Sequence, residues 1–172
     1  MWIKTIVGTL ALVMPLQGHA AEAKKIQDNS FLLEEAYNQE AGVVQHIQSF
    51  MYMKKSRDWV YTFTQEWPFP DETHQLSYTV PVVRLTDPSN ASGVGDIALN
   101  YRYQAILKDN IALAPRLSVI VPAGDFRKGH GTGSVGIQAN LPLSVELTDR
   151  LVTHWNIGAT YTGHAKEPGG AT

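Results

Sequence analysis

A chain of 172 residues with a formal net charge of −2 and 17% charged residues fits one domain. The absence of cysteine excludes a disulfide framework, a thiolate metal site and a catalytic thiol together. The small charge and the lack of a Lys/Arg cluster exclude the electrostatic footprint of a nucleic-acid binder.

Residues 1–20 read as a secretory signal peptide. Lys4 supplies the positive start, residues 6–16 an apolar run, and Gly18-His19-Ala20 the small residues of a cleavage site. Cleavage is placed after Ala20, with Ala21 and Ala23 as alternatives. The apolar run is too short for a membrane anchor, which needs about 20 residues, and Pro15 interrupts its end. Residues 21–42 are expected to form a periplasmic N-terminal segment. Within it, 31–40 (FLLEEAYNQE) is rich in helix formers and reads as a short helix ended by Gly42. A cap is the expected role of that helix, and a plug the alternative.

From residue 43 the texture changes to period two, the mark of strands with one apolar and one polar face. Residues 96–107 are the clearest case. Ile97, Leu99, Tyr101, Tyr103, Ala105 and Leu107 share one phase; Asp96, Ala98, Asn100, Arg102 and Gln104 share the other. The same division holds over 59–67, 75–83, 111–121, 134–147 and 151–162, and weakly over 43–53. Together these segments give about seven strands, of a length that crosses a bilayer at a tilt.

The connections sharpen that expectation. Short links at 108–110 and 148–150 alternate with long ones at 86–95 and 123–133, and aromatics fall near strand ends. Short inner turns, long outer loops and aromatic girdles are features of outer-membrane barrels. The fold expected is therefore all-β: an antiparallel up-and-down transmembrane β-barrel over 43–172 behind a short N-terminal helix. An odd strand count and a loop-like end, Pro168-Gly169-Gly170-Ala171-Thr172, lead to the expectation that further strands follow to close an even-stranded barrel.

Two segments carry a resemblance to a known family. Residues 30–47 (SFLLEEAYNQEAGVVQHI) and 93–104 (GVGDIALNYRYQ) resemble two boxes of the MetA-pathway phenol-degradation family, transporter-like outer-membrane barrels of Gram-negative bacteria. The similarity extends over about 28–162. It implies passage of small aromatic or hydrophobic molecules across the outer membrane.

Few residues argue for chemistry. Gly93-x-Gly95-Asp96 leads into a strand, whereas a dinucleotide fingerprint opens a helix, so it reads as a turn. Gly-rich 129–136 reads as an outer loop entering a strand. No two histidines show the spacing of a helical zinc site; His130 and His164 together allow only a remote surface metal site. Ser144, His154 and Glu146 share a polar phase and fit a hydrolase by type, but any polar lumen supplies such a set. Arg102 and Arg116 are placed at one height by the 108–110 turn. They could bind carboxylates or tune anion passage, as charged rings do in pores; the favoured reading is neutralisation by Glu66, Asp96 or Glu146.

The expectations are these. The protein is an outer-membrane barrel for uptake or passage of small molecules, not an enzyme, without cofactor or metal. A non-conducting structural or loop-binding barrel is the alternative, and a lipid-modifying enzyme the second alternative. Glu66, Asn100, Arg102, Gln104, Arg116, Gln138, Asn140, His154 and Asn156 line the lumen. Ile97, Leu99, Tyr101, Leu117, Val119, Ile137 and Leu141 face lipid. The partners are outer-membrane lipid, an unidentified small-molecule solute and the barrel-assembly machinery.

Overall fold

Val, Ile, Thr and aromatic side chains fit the pleated surface of a sheet, and the alternating segments use them to build extended rows. The computed structural model describes Val7, Gly8 and residues 33–166. Its strands are β1 (Val7–Gly8), β2 (Gln45–Met53), β3 (Asp58–Pro68), β4 (His74–Leu85), β5 (Ala91–Val94), β6 (Ile97–Tyr103), β7 (Ile106–Lys108), β8 (Ile111–Leu113), β9 (Arg116–Val121), β10 (Gly136–Thr148) and β11 (Leu151–Thr162). Among the described residues a 3-10 turn, Phe126–Lys128, lies in the loop before β10.

Several strands are pieces of one row. β5 and β6 both pair with β4, on either side of Gly95-Asp96. β8 and β9 both pair with β10, on either side of Ala114-Pro115. Pro115 has no N–H to give to a ladder, and the row resumes through Ala114 N–H donating to Pro142 O at 3.2 Å. Every pairing is antiparallel, and β2 to β11 follow one another as a meander.

The register keeps the two phases apart. Asn100 lies opposite Ser77 and Ser118, and Ser118 opposite Gln138. Leu99 lies opposite Tyr78 and Val119, and Val119 opposite Ile137. The polar belt is the covered one. Asn100 and Arg102 are each 6% exposed, whereas Leu99 is 51% and Leu117 53% exposed. The wholly buried apolar side chains among the described residues are Ala36, Ala112, Ala114 and Pro142. The domain is thus polar and hydrogen-bonded on its inner face and apolar on its outer one.

Three expectations are corrected here. The sheet is not closed into a barrel: among the described residues no pairing joins β11 to β2, whose free side is taken by β1 through Val7↔Met51 and Gly8↔Phe50. Strand alternation dictates which face is apolar, but it carries no information on whether two edges meet. In this meander the first and last rows run the same way, so their closure would demand a parallel seam. With the sheet open, Ile97, Leu99, Tyr101, Leu117, Val119, Ile137 and Leu141 lie on the outer face of an open sheet rather than on the lipid-facing wall of a barrel. The second correction concerns the helix over 31–40: residues 33–40 form none, for a reason given below. The third concerns placement and partners. An outer-membrane location, lipid contact and handling by the barrel-assembly machinery all rested on closure and lose that ground. The signal peptide read over 1–20 lies outside the described residues, apart from Val7–Gly8. No helix among the described residues is long and apolar enough to cross a membrane.

One substitution tests the outer pairing of the sheet. A Cβ at Gly158 would stand 2.7 Å from Ala139 O and 2.9 Å from Asn140 Oδ1. Gly158→Val should therefore destabilise the chain by about 1–3 kcal/mol through overpacking, read as a lower denaturation midpoint, whereas valine at the neighbouring exposed Ala159 should leave it within about 0.5 kcal/mol.

Candidate functional site

The residues before β2 cross the inner face as an extended strap, and their backbone explains the missing helix. A helix would bond these N–H and C=O groups to one another; here the sheet takes them. Ala36 N–H donates to Ser144 Oγ at 3.0 Å, Asn38 N–H to Gln104 Oε1 at 3.0 Å and Gln39 N–H to Gln75 Oε1 at 2.7 Å. In return the strap carbonyls accept: Glu34 O from Asn156 Nδ2 at 2.8 Å, Ala36 O from Gln104 Nε2 at 2.8 Å and Tyr37 O from Arg102 Nη2 at 2.7 Å. Good helix propensity is worth only tenths of a kcal/mol per residue. Sheet partners for the N–H groups of Ala36, Asn38 and Gln39 and the C=O groups of Glu34, Ala36 and Tyr37 outweigh it.

The strap carries the main electrostatic contact. Glu34 Oε1 lies 3.3 Å from Arg102 Nη1, and Glu34 Oε2 lies 3.0 Å from Arg116 Nε. Asn140 Nδ2 donates to Glu34 Oε2 at 2.6 Å. Arg102 and Arg116 are direct Cα partners across β6 and β9, so one carboxylate reaches both. Arg102 is further wrapped by the strap, donating through Nε to Asn38 Oδ1 at 3.0 Å and through Nη1 to Glu35 O at 3.2 Å. Arg116 instead holds the sheet, donating to Asn100 Oδ1, Ser118 Oγ and Gln138 Oε1 at 3.0–3.1 Å. Its Nε, although close to Glu34, is off the line of a hydrogen bond and otherwise unpartnered.

The neutralising carboxylate is therefore Glu34, which sequence reasoning did not consider. Asp96 serves elsewhere, accepting from Gly124 N–H at 3.1 Å and from Thr132 N–H and Oγ1–H at 2.7 and 2.8 Å. Burial pushes the Glu66 carboxyl above its ordinary range; the Arg102 and Arg116 charges oppose this, the Glu34 charge adds to it, and the net shift is upward. Gln75 Nε2 donates to it at 3.0 Å.

Beneath the strap lies a cavity of about 520 Å3. Ser49, Thr62, Thr64, Glu66, Ser77 and Thr79 line it. Cross-row bonds fix several of these hydroxyls: Ser49 Oγ to Thr62 Oγ1 at 2.7 Å, Thr64 Oγ1 to Thr79 Oγ1 at 2.8 Å, and Asn100 Nδ2 donating to Ser77 Oγ at 3.0 Å. The threonines and serines were not singled out in the sequence, although their shared phase with Glu66 was visible.

The Ser144 and His154 side chains do meet, Oγ to Nδ1 at 2.8 Å. Ser144 is wholly buried and already accepts the Ala36 N–H. No hydrogen bond or ion pair joins Glu146 to His154 among the described residues. Gln138 donates to Thr160 Oγ1 at 2.9 Å, and Asn140 to Asn156 Oδ1 at 2.8 Å. The described residues hold no group of three or more metal-ligating side chains.

The Gly93-x-Gly95-Asp96 turn has a structural task. The His130 ring packs where a Gly93 Cβ would stand, and His130 O lies 3.2 Å from the Cβ position of Gly95. The side chain at Gly131 is likewise excluded by Asp96 Oδ1. Asp96 and these glycines dock the loop before β10 onto the start of β6.

No family model, curated protein or solved structure matches the chain. The resemblance of segments 30–47 and 93–104 stands on those residues alone. In the fold the two segments meet, through Glu34, Asn38 and Arg102. The passage or uptake role drawn for a closed barrel is not supported, because the sheet is open.

Two outcomes follow. Arg102→Ala should cost about 3 kcal/mol, since it leaves a partly buried carboxylate and two strap carbonyls short of donors. Faster amide exchange at Ala36 and Asn38 should accompany the loss. For Glu66 the folded-state pKa is raised, so its contribution is favourable below its unfolded value and is lost as pH rises through the folded one. Glu66→Gln should therefore be more stable than the native chain at neutral pH, with the gap closing as pH falls below the ordinary carboxylate range. Denaturation midpoints across that pH range check the sign.

Proposed function

We propose that this chain is a small-molecule binding protein rather than a catalyst, and that its ligand is polar and rich in hydroxyl groups. The observation that carries this reading is the cavity under the strap, about 520 Å3 with serine and threonine hydroxyls fixed on its wall. Its size falls within the range of small-molecule sites, roughly 300–1,000 Å3. Most such sites are apolar with a few polar groups. This one sets Ser49, Thr62, Thr64, Glu66, Ser77 and Thr79 beside Leu33, Val43 and Ile47; its hydroxyls bond in pairs across the rows, and each pair keeps a free donor and further acceptor capacity for a ligand. Hydroxyls both donate and accept, which matches a ligand that does the same.

The reading as a binder also draws on what the strap does to Ser144. Its Oγ is covered, bonded on one side by Ala36 and on the other by His154, and so is spent on holding the strap.

Calorimetric titration of the full chain with sorbitol, glucose and phenol tests the proposal. The polyol or sugar should give saturable heat and phenol none. Thr64→Val removes one wall hydroxyl at nearly constant volume and should weaken polyol binding about tenfold, the worth of one hydrogen bond. Saturable phenol binding with no response to the hydroxylated ligands would overturn the reading.

A further inference from the structure

The Glu34 carboxylate sits on the inner face as a ligand would. It approaches Arg102 with one oxygen and Arg116 with the other, and the side chain of Asn140 donates to it. Guanidinium pairs recognise carboxylates in this manner, through separate N–H groups on each oxygen. The fit is incomplete. The Arg102 contact is long at 3.3 Å, and the Arg116 Nε–H does not point at the nearby oxygen. Both arginines also border the hydroxyl-lined cavity.

We propose that the Arg102–Arg116 pair is a carboxylate-recognition site that Glu34 fills from within, and that the ligand is a small hydroxylated carboxylate of the sugar-acid type. Its carboxylate takes the place of Glu34 while its hydroxyls lie against Thr62, Thr64 and Thr79. This rests on the cavity being a ligand site, and adds to it the charge of the ligand and the fate of the strap.

The two guanidiniums have different parts. Arg102 donates to Asn38 Oδ1, Glu35 O and Tyr37 O of the strap as well as to Glu34, so it holds the strap. Arg116 donates to side chains of the sheet and meets Glu34 of the strap. It keeps its place when the strap moves and is the specific carboxylate contact. Because Glu34 is tethered, it competes at an effective concentration of roughly millimolar or above. The apparent affinity for an external carboxylate is lowered by the fraction of molecules in which the site is free. Removing Glu34 lifts that competition.

The test uses the full chain and two probes of similar size, gluconate and neutral sorbitol. Titrations are run on the native chain, Glu34→Ala, Glu34→Gln and Glu34→Ala/Arg116→Gln. Gluconate should bind Glu34→Ala at least about tenfold more tightly than the native chain, and the gain should vanish in the double variant. In the native chain, saturating gluconate should speed amide exchange at Ala36, Asn38 and Gln39, whose N–H groups are bonded to the sheet while the strap is in place. Sorbitol should do neither. If Glu34→Ala does not fold, Glu34→Gln, which keeps the side-chain volume, decides the comparison. Sorbitol binding with no gluconate gain in the Glu34 variants overturns this inference and leaves the polar-binder reading standing. No binding of either probe to any variant overturns both.

Discussion

The contact on which the rest of the structure depends is the seating of Glu34 between Arg102 and Arg116. Two guanidiniums on adjacent rows of one sheet face repel each other and are expensive to cover unless a carboxylate joins them. Glu34 does so, and because it lies on a strap that enters from outside the sheet, it also ties rows β6, β9 and β10 to one segment. Around that point the strap exchanges its backbone hydrogen bonds for side chains of the sheet. Gln75, Gln104, Ser144 and Asn156 are thereby occupied, and Ala36, Ala112 and Ala114 are closed off.

This arrangement inverts the usual economy of a domain. Few large apolar side chains are buried; the covered side of the sheet is a network of amides, hydroxyls and charges. Such a network stabilises only when nearly every member is satisfied. Here the exceptions among buried side-chain atoms of the described residues are Arg116 Nε and His154 Nε2, and both lie on the inner face. The apolar phase faces outward, with Trp155 and Ile157 of β11 left 64% and 73% exposed.

A second polar centre organises the other end of the sheet. Asp96 holds the loop before β10 through Gly124 and Thr132, and the glycines around it let the His130 backbone and ring approach closely. Gly93 and Gly95 are there because a Cβ at either would collide with His130 or Pro81. The spacing that looks like part of a phosphate loop is thus a docking motif between two loops.

The sequence by itself determined the rows and their two faces. Alternation in a strand is local, set by the pleat, so the phase of Leu99 against Asn100 or of Leu117 against Ser118 could be read without a partner. That Arg102 and Arg116 stand near one height was legible too, from the tight turn at 108–110; their direct pairing needs a one-residue register shift between the β7–β8 and β6–β9 ladders. Three things were decided only in three dimensions. Closure depends on whether distant edges meet, and nothing in a period-two pattern encodes that. The strap looked helical because propensity counts only near neighbours, while its backbone is claimed by Ser144, Gln104 and Gln75, far along the chain. Glu34 was missed for the same reason: its partners Arg102 and Arg116 are distant in sequence, and only folding the strap back over the sheet brings their charges together.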